Sequence, residues 1–318
     1  MTARIPLILQ LGTGLALVLV AGAVAPDWLT FLFVIALAKG LAACGVVVLL
    51  RGGLLSFGQG LFYCAGAYGA GLAMTWGRIS DALLLVLIGG CAAVSIALAV
   101  GPLLARYRKI FFATLTLAVS MLAYGALTKT DALGGTDGLN LVAPTFLGFR
   151  PKGASQAVYA TLVLAGLLAV GLGALIRIHF DSIRGFLALG LRDNEIRVEY
   201  LGGSARRVAF DSFVLAAMLG GIGGALNALV LGHIDPELGF WTTSGEFVVV
   251  AILAGYASVT AVFAASVIVE LLRSYATQYF PNEWQMALGL FLLGIILFLP
   301  DGIGSILVSR RGKKVQSR

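Results

Sequence analysis

Three ionisable side chains sit in almost wholly apolar surroundings. Lys39 falls in "FLFVIALAKGLAACGVVVLL", Glu246 in "SGEFVVVAILAG" and Glu270 in "AVFAASVIVELLR". One ammonium and two carboxylates in such places can pair with one another or hold a charged solute. A lone charge at a bilayer centre costs about 2.5–3.5 kcal/mol on insertion scales. Lys39 is therefore expected to face a protein interior, with Glu246, Glu270 or a solute carboxylate as partner. A second set is polar but uncharged. Ser56, Gln59 and Gly60 lie in "GGLLSFGQGLFYCAGAY" (52–68), and Thr114 and Thr116 in "FFATLTLAVSML". Hydroxyls, an amide and bared glycine backbone can line a path for a polar solute. Gly58 and Gly60 permit a bend there, while Gly66, Gly69 and Gly71 suit close helix packing.

Two further sets lie in polar stretches. "LGGTDGLN" (133–140) offers flexible backbone at Gly135 and Gly138 and hydrogen-bonding groups at Thr136 and Asp137, which suits a gate or a contact for a partner. "RDNEIRVEYLGGSARR" (192–207) packs seven of the chain's 37 charged residues into sixteen positions. Residues for covalent chemistry are missing from the pattern. There is no metal-ligand cluster, no catalytic triad and no G-x-x-x-x-G-K-[ST] phosphate loop; "RRGKK" near the tail lacks the first Gly and the hydroxyl residue. Cys44, Cys64 and Cys91 all lie in apolar stretches, so packing explains them better than a disulfide framework does.

The elements that must position these groups are read from composition. The 318 residues are 59% hydrophobic and 12% charged. Soluble domains carry about 25% charged residues. The fold class is therefore all-α, a polytopic transmembrane helix bundle in a single domain over 1–318. Continuous apolar runs favour helices over a barrel, whose strands would alternate. Runs at about 5–25, 29–50, 54–76, 82–104, 110–130, 156–176, 209–232, 244–256, 258–276 and 284–300 read as helical, giving eight to ten spans. Residues 244–276 are too long for one ordinary span and short for two. Gly255 marks the break, so one of these helices is short or re-entrant. The first run resembles a signal peptide but is long for one, and reads as an uncleaved span.

The net charge is +7. With both termini cytoplasmic, sixteen Lys and Arg fall on the inner side, including the basic tail 301–318, and four on the outer, namely Arg78, Lys129, Arg150 and Lys152. That asymmetry fits the positive-inside rule, so topology and not nucleic acid accounts for the charge. It also places 177–208 inside. Within that loop, "LGLRDNEIRVEYLGG" (189–203) is expected to form one short helix supported by Arg192–Glu195 (i,i+3) and Asp193–Arg197 (i,i+4) and stopped by Gly202 and Gly203.

These stretches resemble the permease subunits of ATP-binding cassette importers, in particular the branched-chain amino acid permease family. "RDNEI" with its following glycine resembles that family's cytoplasmic loop. The 52–68, 133–140, "DPELGFWTTSGEFVVVAILAG" (235–255) and "FLPDGIGSIL" (298–307) stretches resemble further family segments in the same order. Departures are "LAGYASVTAVFAA" in place of a Gly-rich turn, Leu299 in place of a usual Arg, and Lys39 in a normally uncharged span.

The resemblance implies a subunit of the bacterial inner membrane that uses no cofactor itself. A second permease subunit, two cytoplasmic ATPases that use ATP and Mg, and a periplasmic or lipid-anchored solute-binding protein would be its partners. Residues Arg192, Asp193, Asn194, Glu195, Arg197 and Gly202 would couple to the ATPases. Branched-chain amino acids would be the solute; urea, short amides and aromatic acids are the alternatives within the family. The competing classes are an ion-coupled secondary transporter, which calls for paired intramembrane carboxylates and an inverted repeat, and a membrane-embedded enzyme, for which no convergent residues are found.

Overall fold

The computed structural model describes residues 7–279 except 201 and 257, and, beyond them, 281, 283, 286, 289–291, 293, 294 and 302–304. The expected span 284–300 and the basic tail lie largely outside the described residues. Eleven α-helices are described: α1 Leu7–Val24, α2 Asp27–Arg51, α3 Gln59–Thr75, α4 Ala82–Leu104, α5 Lys109–Thr128, α6 Ala154–Phe180, α7 Ile183–Asp193, α8 Glu195–Tyr200, α9 Ala205–Leu231, α10 Trp241–Ala254 and α11 Val259–Tyr279. Two-residue strands β1 (Leu139–Asn140) and β2 (His233–Ile234) pair antiparallel. The all-α bundle is as the sequence requires.

Among the described residues, six helices are long and apolar enough to cross a membrane: α2, α4, α5, α6, α9 and α11. Within the bundle, α3 and α10 are short. Helix α3 has 17 residues and α10 has 14. At about 1.5 Å per residue both fall short of a hydrocarbon core about 30 Å thick. Long helices mixed with short ones are what the expected bundle with broken or re-entrant helices calls for; α10 is the short helix before Gly255, and α3 is a further one. Helix α3 starts at Gln59 and not at 54, because 52–58 is non-helical. Helices α6 and α9 run further into the loop between them than hydropathy suggests. A Ser204 cap, whose Oγ accepts from Arg207 N at 3.3 Å, draws Arg206 and Arg207 into the first turn of α9. Helix α1 packs along α6, with Val18 against Gly166.

Helix α9 is the centre of the bundle, lying against α2, α3 and α4. Small residues allow this. A Cβ on Gly66 would collide with the carbonyl of Gly221, and one on Gly224 with the carbonyl of Tyr63. A Cβ on Gly89 would lie 2.6 Å from the Gly66 carbonyl oxygen. Lipid gives no hydrophobic drive between helices, so such close backbone approach is what holds them. Gly66→Val should force α3 and α9 apart, at a cost of about 1–3 kcal/mol or more. The expected outcome is a clear loss of monodisperse protein on size-exclusion chromatography in detergent.

Successive long helices reverse direction, so loops collect at two ends. One end gathers 52–58, 105–108, 181–204 and 255–258. Arg51 Nη1 donates to Tyr256 O at 3.4 Å, Arg192 stacks over the Tyr256 ring at 4.2 Å, and Arg206 Nη2 donates to Pro102 O at 3.0 Å. Arg51, Arg106, Arg108, Arg184, Arg192, Arg197, Arg206 and Arg207 make this the basic end. Arg78, Lys129, Arg150 and Lys152 lie at the far end. Gly255 allows the return: at φ 72°, ψ 167° it occupies a region open essentially to glycine alone, and α11 then runs back to the far end.

Candidate functional site

Lys39 is the thirteenth of the 25 residues of α2, half-way along it. Its Nζ lies 2.9 Å from Glu270 Oε2 on α11 and 3.2 Å from Glu246 Oε2 on α10. Arg273 Nη1 lies 2.8 Å from the same Glu246 oxygen. The side chains of Lys39, Glu246 and Glu270 are 12%, 17% and 13% exposed, and that of Arg273 is 34% exposed. Two cations and two carboxylates give a formally neutral cluster, which is what makes burial tolerable. The network ties α2, α10 and α11 together at mid-height. Both partners expected for Lys39 are present. Arg273 is a member that the sequence reading misses; its signal is the i,i+3 spacing from Glu270, which puts both on one face of α11.

The second cluster forms where helices are interrupted. Segment 52–58 is not helical, yet Leu54 and Ser56 are fully buried. Its backbone donors find side-chain acceptors. Phe57 N donates to Thr116 Oγ1 at 3.3 Å and Gly58 N to Ser56 Oγ at 3.2 Å. Gly60 N, in the first turn of α3 where helical N–H groups lack internal partners, donates to Ser244 Oγ of α10 at 2.8 Å. Gln59 Nε2 donates to Ala216 O at 2.8 Å, while Gln59 Oε1 is buried without a hydrogen-bond partner. Ser120 Oγ donates to Gly239 O at 2.8 Å, seating the 3-10 turn Pro236–Gly239 ahead of α10 against α5. The first turns of the two short helices thus abut inside the bundle.

Ser56, Gln59, Gly60 and Thr116 are brought together here as the sequence suggests. Thr114 is not: it is exposed and donates to Ile110 O at 3.1 Å. Two residues apart on a helix are about 200° apart, so both threonines cannot serve one site. Ser244→Ala would orphan a buried N–H, a loss of about 1–3 kcal/mol. A lower unfolding temperature in detergent is the expected result.

At the basic end the sequence-based helix is corrected. Helix α7 stops at Asp193, Asn194 is extended at φ −160°, ψ 104°, and α8 begins at Glu195. Asn194 Oδ1 accepts from Arg197 N at 3.1 Å, so Asn194 caps a new helix instead of continuing the old one. The helical pairings Arg192–Glu195 and Asp193–Arg197 therefore do not form across the break. Arg192 lies over Tyr256, and Glu195 Oε1 stands 3.3 Å from Arg108 Nε at the start of α5. Glycine does end the segment. Gly202, at φ 81°, donates to Glu199 O at 2.9 Å and Gly203 to Val198 O at 3.0 Å, a Schellman closure. Val198 is buried against the bundle while Ile196 and Tyr200 are 65% and 88% exposed.

At the far end Gly134, Gly135 and Gly138 all take positive φ. A Cβ on Gly138 would collide with the carbonyl of Ile234. Thr136 and Asp137 are exposed beside them. The loop is pinned to the end of α9 by β1–β2 and by His233 Nδ1, 2.9 Å from Asn140 Oδ1.

The sequence of this bundle matches a known family. The profile of the permease component of branched-chain amino acid transport systems covers residues 28–299. The chain belongs to that family. All three helices of the ion network, the broken-helix junction and α7–α8 fall inside the matched region. Among curated proteins it is similar to the high-affinity branched-chain amino acid transport system permease protein LivM of Escherichia coli K12, at 27% identity over 280 residues, 81% of this chain. The Salmonella typhimurium LT2 protein of the same name is 26% identical over an equal share. This chain covers 65% of the length of each relative. No solved structure matches.

Proposed function

We propose that this chain is the membrane-spanning subunit of an ATP-driven importer for branched-chain amino acids or a closely related small polar solute. The family match over 28–299 carries the reading. In this reading separate ATPase subunits hydrolyse the ATP. A second permease subunit completes the pathway, and a solute-binding protein delivers cargo from outside. The basic end is cytoplasmic by the positive-inside rule.

The α7–α8 unit is the proposed docking element. It presents Ile196 and Tyr200 to solvent, holds α5 through Arg108–Glu195, and leads through Gly202–Gly203 into α9. A push on α8 therefore reaches the two helices that flank the broken-helix junction. Alternating access follows if that junction opens and closes as the ATPases do. An ion-coupled transporter would draw on Glu246 and Glu270, but both are already matched by Lys39 and Arg273.

The solute is tested by uptake of labelled leucine in cells expressing the chain with its co-encoded partners. Excess isoleucine and valine should suppress uptake, and urea and benzoate should not. Suppression by urea or benzoate alone would replace the amino acid reading. Orientation is tested separately: a cysteine introduced by Thr136→Cys should react with an impermeant maleimide in intact cells, and one introduced by Glu199→Cys only after permeabilisation.

A further inference from the structure

Segments 76–82 and 142–150 at the far end are bonded into one unit. Thr145 N donates to Ser80 O at 2.7 Å and Ala82 N to Thr145 O at 2.8 Å. Phe146 and Phe149 close a tight turn, each N–H donating to the other's carbonyl at 2.9 Å. Asp81 joins that turn to α4. Its Oδ1 caps the helix, accepting from Leu83 N at 3.0 Å, and its Oδ2 accepts from Leu147 N at 2.7 Å. Leu147 is thereby held at φ 47°, in the left-handed region that a leucine rarely occupies.

The groups this unit holds outward are apolar and basic. Leu147 is 83% exposed, and Val142, Trp76 and Phe149 are exposed too. Large apolar side chains gathered on a loop mark a contact surface. Arg78, Arg150 and Lys152 are exposed in the same two segments and the residues that follow them. Among the described residues no carboxylate lies within ion-pair distance of any of the three, so their charges are open to an outside anion.

Continuity indicates what covers the surface. Leu84, Leu87, Cys91, Ser95 and Leu98 are exposed at spacings of three and four, one stripe down α4. That helix is long and apolar enough to cross a membrane, so the stripe faces acyl chains. Asp81, which holds Leu147, stands three residues before Leu84, at the outer end of the same stripe. The unit therefore sits where the stripe meets the headgroups. Aromatic side chains collect at that depth, and basic ones reach from it to phosphate.

We propose that this unit is a docking site for an anionic phospholipid of the leaflet at the far end. Leu147, Phe149 and Trp76 enter the acyl boundary, and Arg78 and Arg150 hold the phosphodiester. The contact pins the outer end of α4 to the bilayer, whatever solute the chain carries.

The apolar half is read with a nitroxide label in the full chain, reconstituted in lipid nanodiscs. Leu147→Cys carries the label and is combined with Cys91→Ser, because Cys44 and Cys64 are buried and Cys91 is exposed. Dissolved oxygen concentrates among acyl chains and a nickel chelate stays in water. Relaxation of the label should be enhanced by oxygen and not by the chelate. Enhancement by the chelate would put Leu147 in water and overturn the docking. Shielding from both reagents, with or without an added solute-binding protein, would make the surface a protein contact and equally overturn it.

The basic half is read by native mass spectrometry of the chain released from nanodiscs of equal phosphatidylglycerol and phosphatidylcholine. Bound phosphatidylglycerol should be in excess, and the excess should fall about fivefold for each of Arg78→Gln and Arg150→Gln. Both side chains are exposed, so folding should survive. If Arg78→Gln is lost, Arg150→Gln alone carries the test. Arg78→Lys with Arg150→Lys keeps the charges and should keep the excess. No excess on the unaltered chain, or an excess that the Gln variants leave unchanged, overturns the headgroup assignment.

Discussion

Lys39→Met is expected to destabilise the bundle by about 3–5 kcal/mol, because removing one partner of a buried ion pair leaves the other uncompensated. Glu270 would lose the ammonium 2.9 Å away, while Glu246 keeps Arg273 at 2.8 Å. The damage should therefore centre on Glu270. Lys39→Met combined with Glu270→Gln removes one charge of each sign, and the pair together should recover most of the lost stability. Double-mutant analysis of thermal unfolding in detergent reads this directly. Equal unfolding temperatures for Lys39→Met and the unaltered chain would show that the cluster does not hold α2 to α11. Additive losses in the double variant would show that Lys39 and Glu270 are not coupled.

Glu195→Arg should sharply reduce recovery of the ATPase subunits with the permease and abolish uptake, without unfolding the chain. Glu195 is 40% exposed and its pair with Arg108 spans 3.3 Å. Such half-exposed pairs contribute only about 0.2–1 kcal/mol, too little for global stability to change. What does change is the position of α8, because the introduced guanidinium would face the like charge of Arg108. Reversing the partner too, with Arg108→Glu, restores opposite charges and should restore most of the assembly. Normal ATPase recovery with Glu195→Arg alone would remove α8 from the docking surface.

Much of this arrangement is legible in the sequence. A charge in the middle of an apolar run must find partners, and for Lys39 that rule points to Glu246 and Glu270. The length of 244–276 requires a break, and Gly255 supplies its geometry. Where sequence reasoning goes astray, a local competitor wins. Hydropathy carries α3 back to 54, but the hydroxyls of Thr116 on α5 and of Ser56 itself accept from Phe57 N and Gly58 N and let 52–58 stay non-helical. Helical spacing in "RDNEIRVEY" suggests one helix, yet Asn194 serves better as a cap than as a mid-helix residue. Arg273 escapes notice because it lies in a polar stretch at the end of an apolar run, where a basic residue needs no special explanation. Thr114 and Thr116 share a motif but not a helix face.

With α7–α8 as the proposed docking element, this chain should move solute only when ATPases drive it. Proteoliposomes containing the permease pair, loaded with ATP and supplied with the solute-binding protein outside, separate the possibilities. Labelled leucine should accumulate only when the ATPase subunits and ATP are both present, and dissipating proton and sodium gradients should not slow it. Accumulation without the ATPases, driven by an imposed ion gradient, would contradict the account.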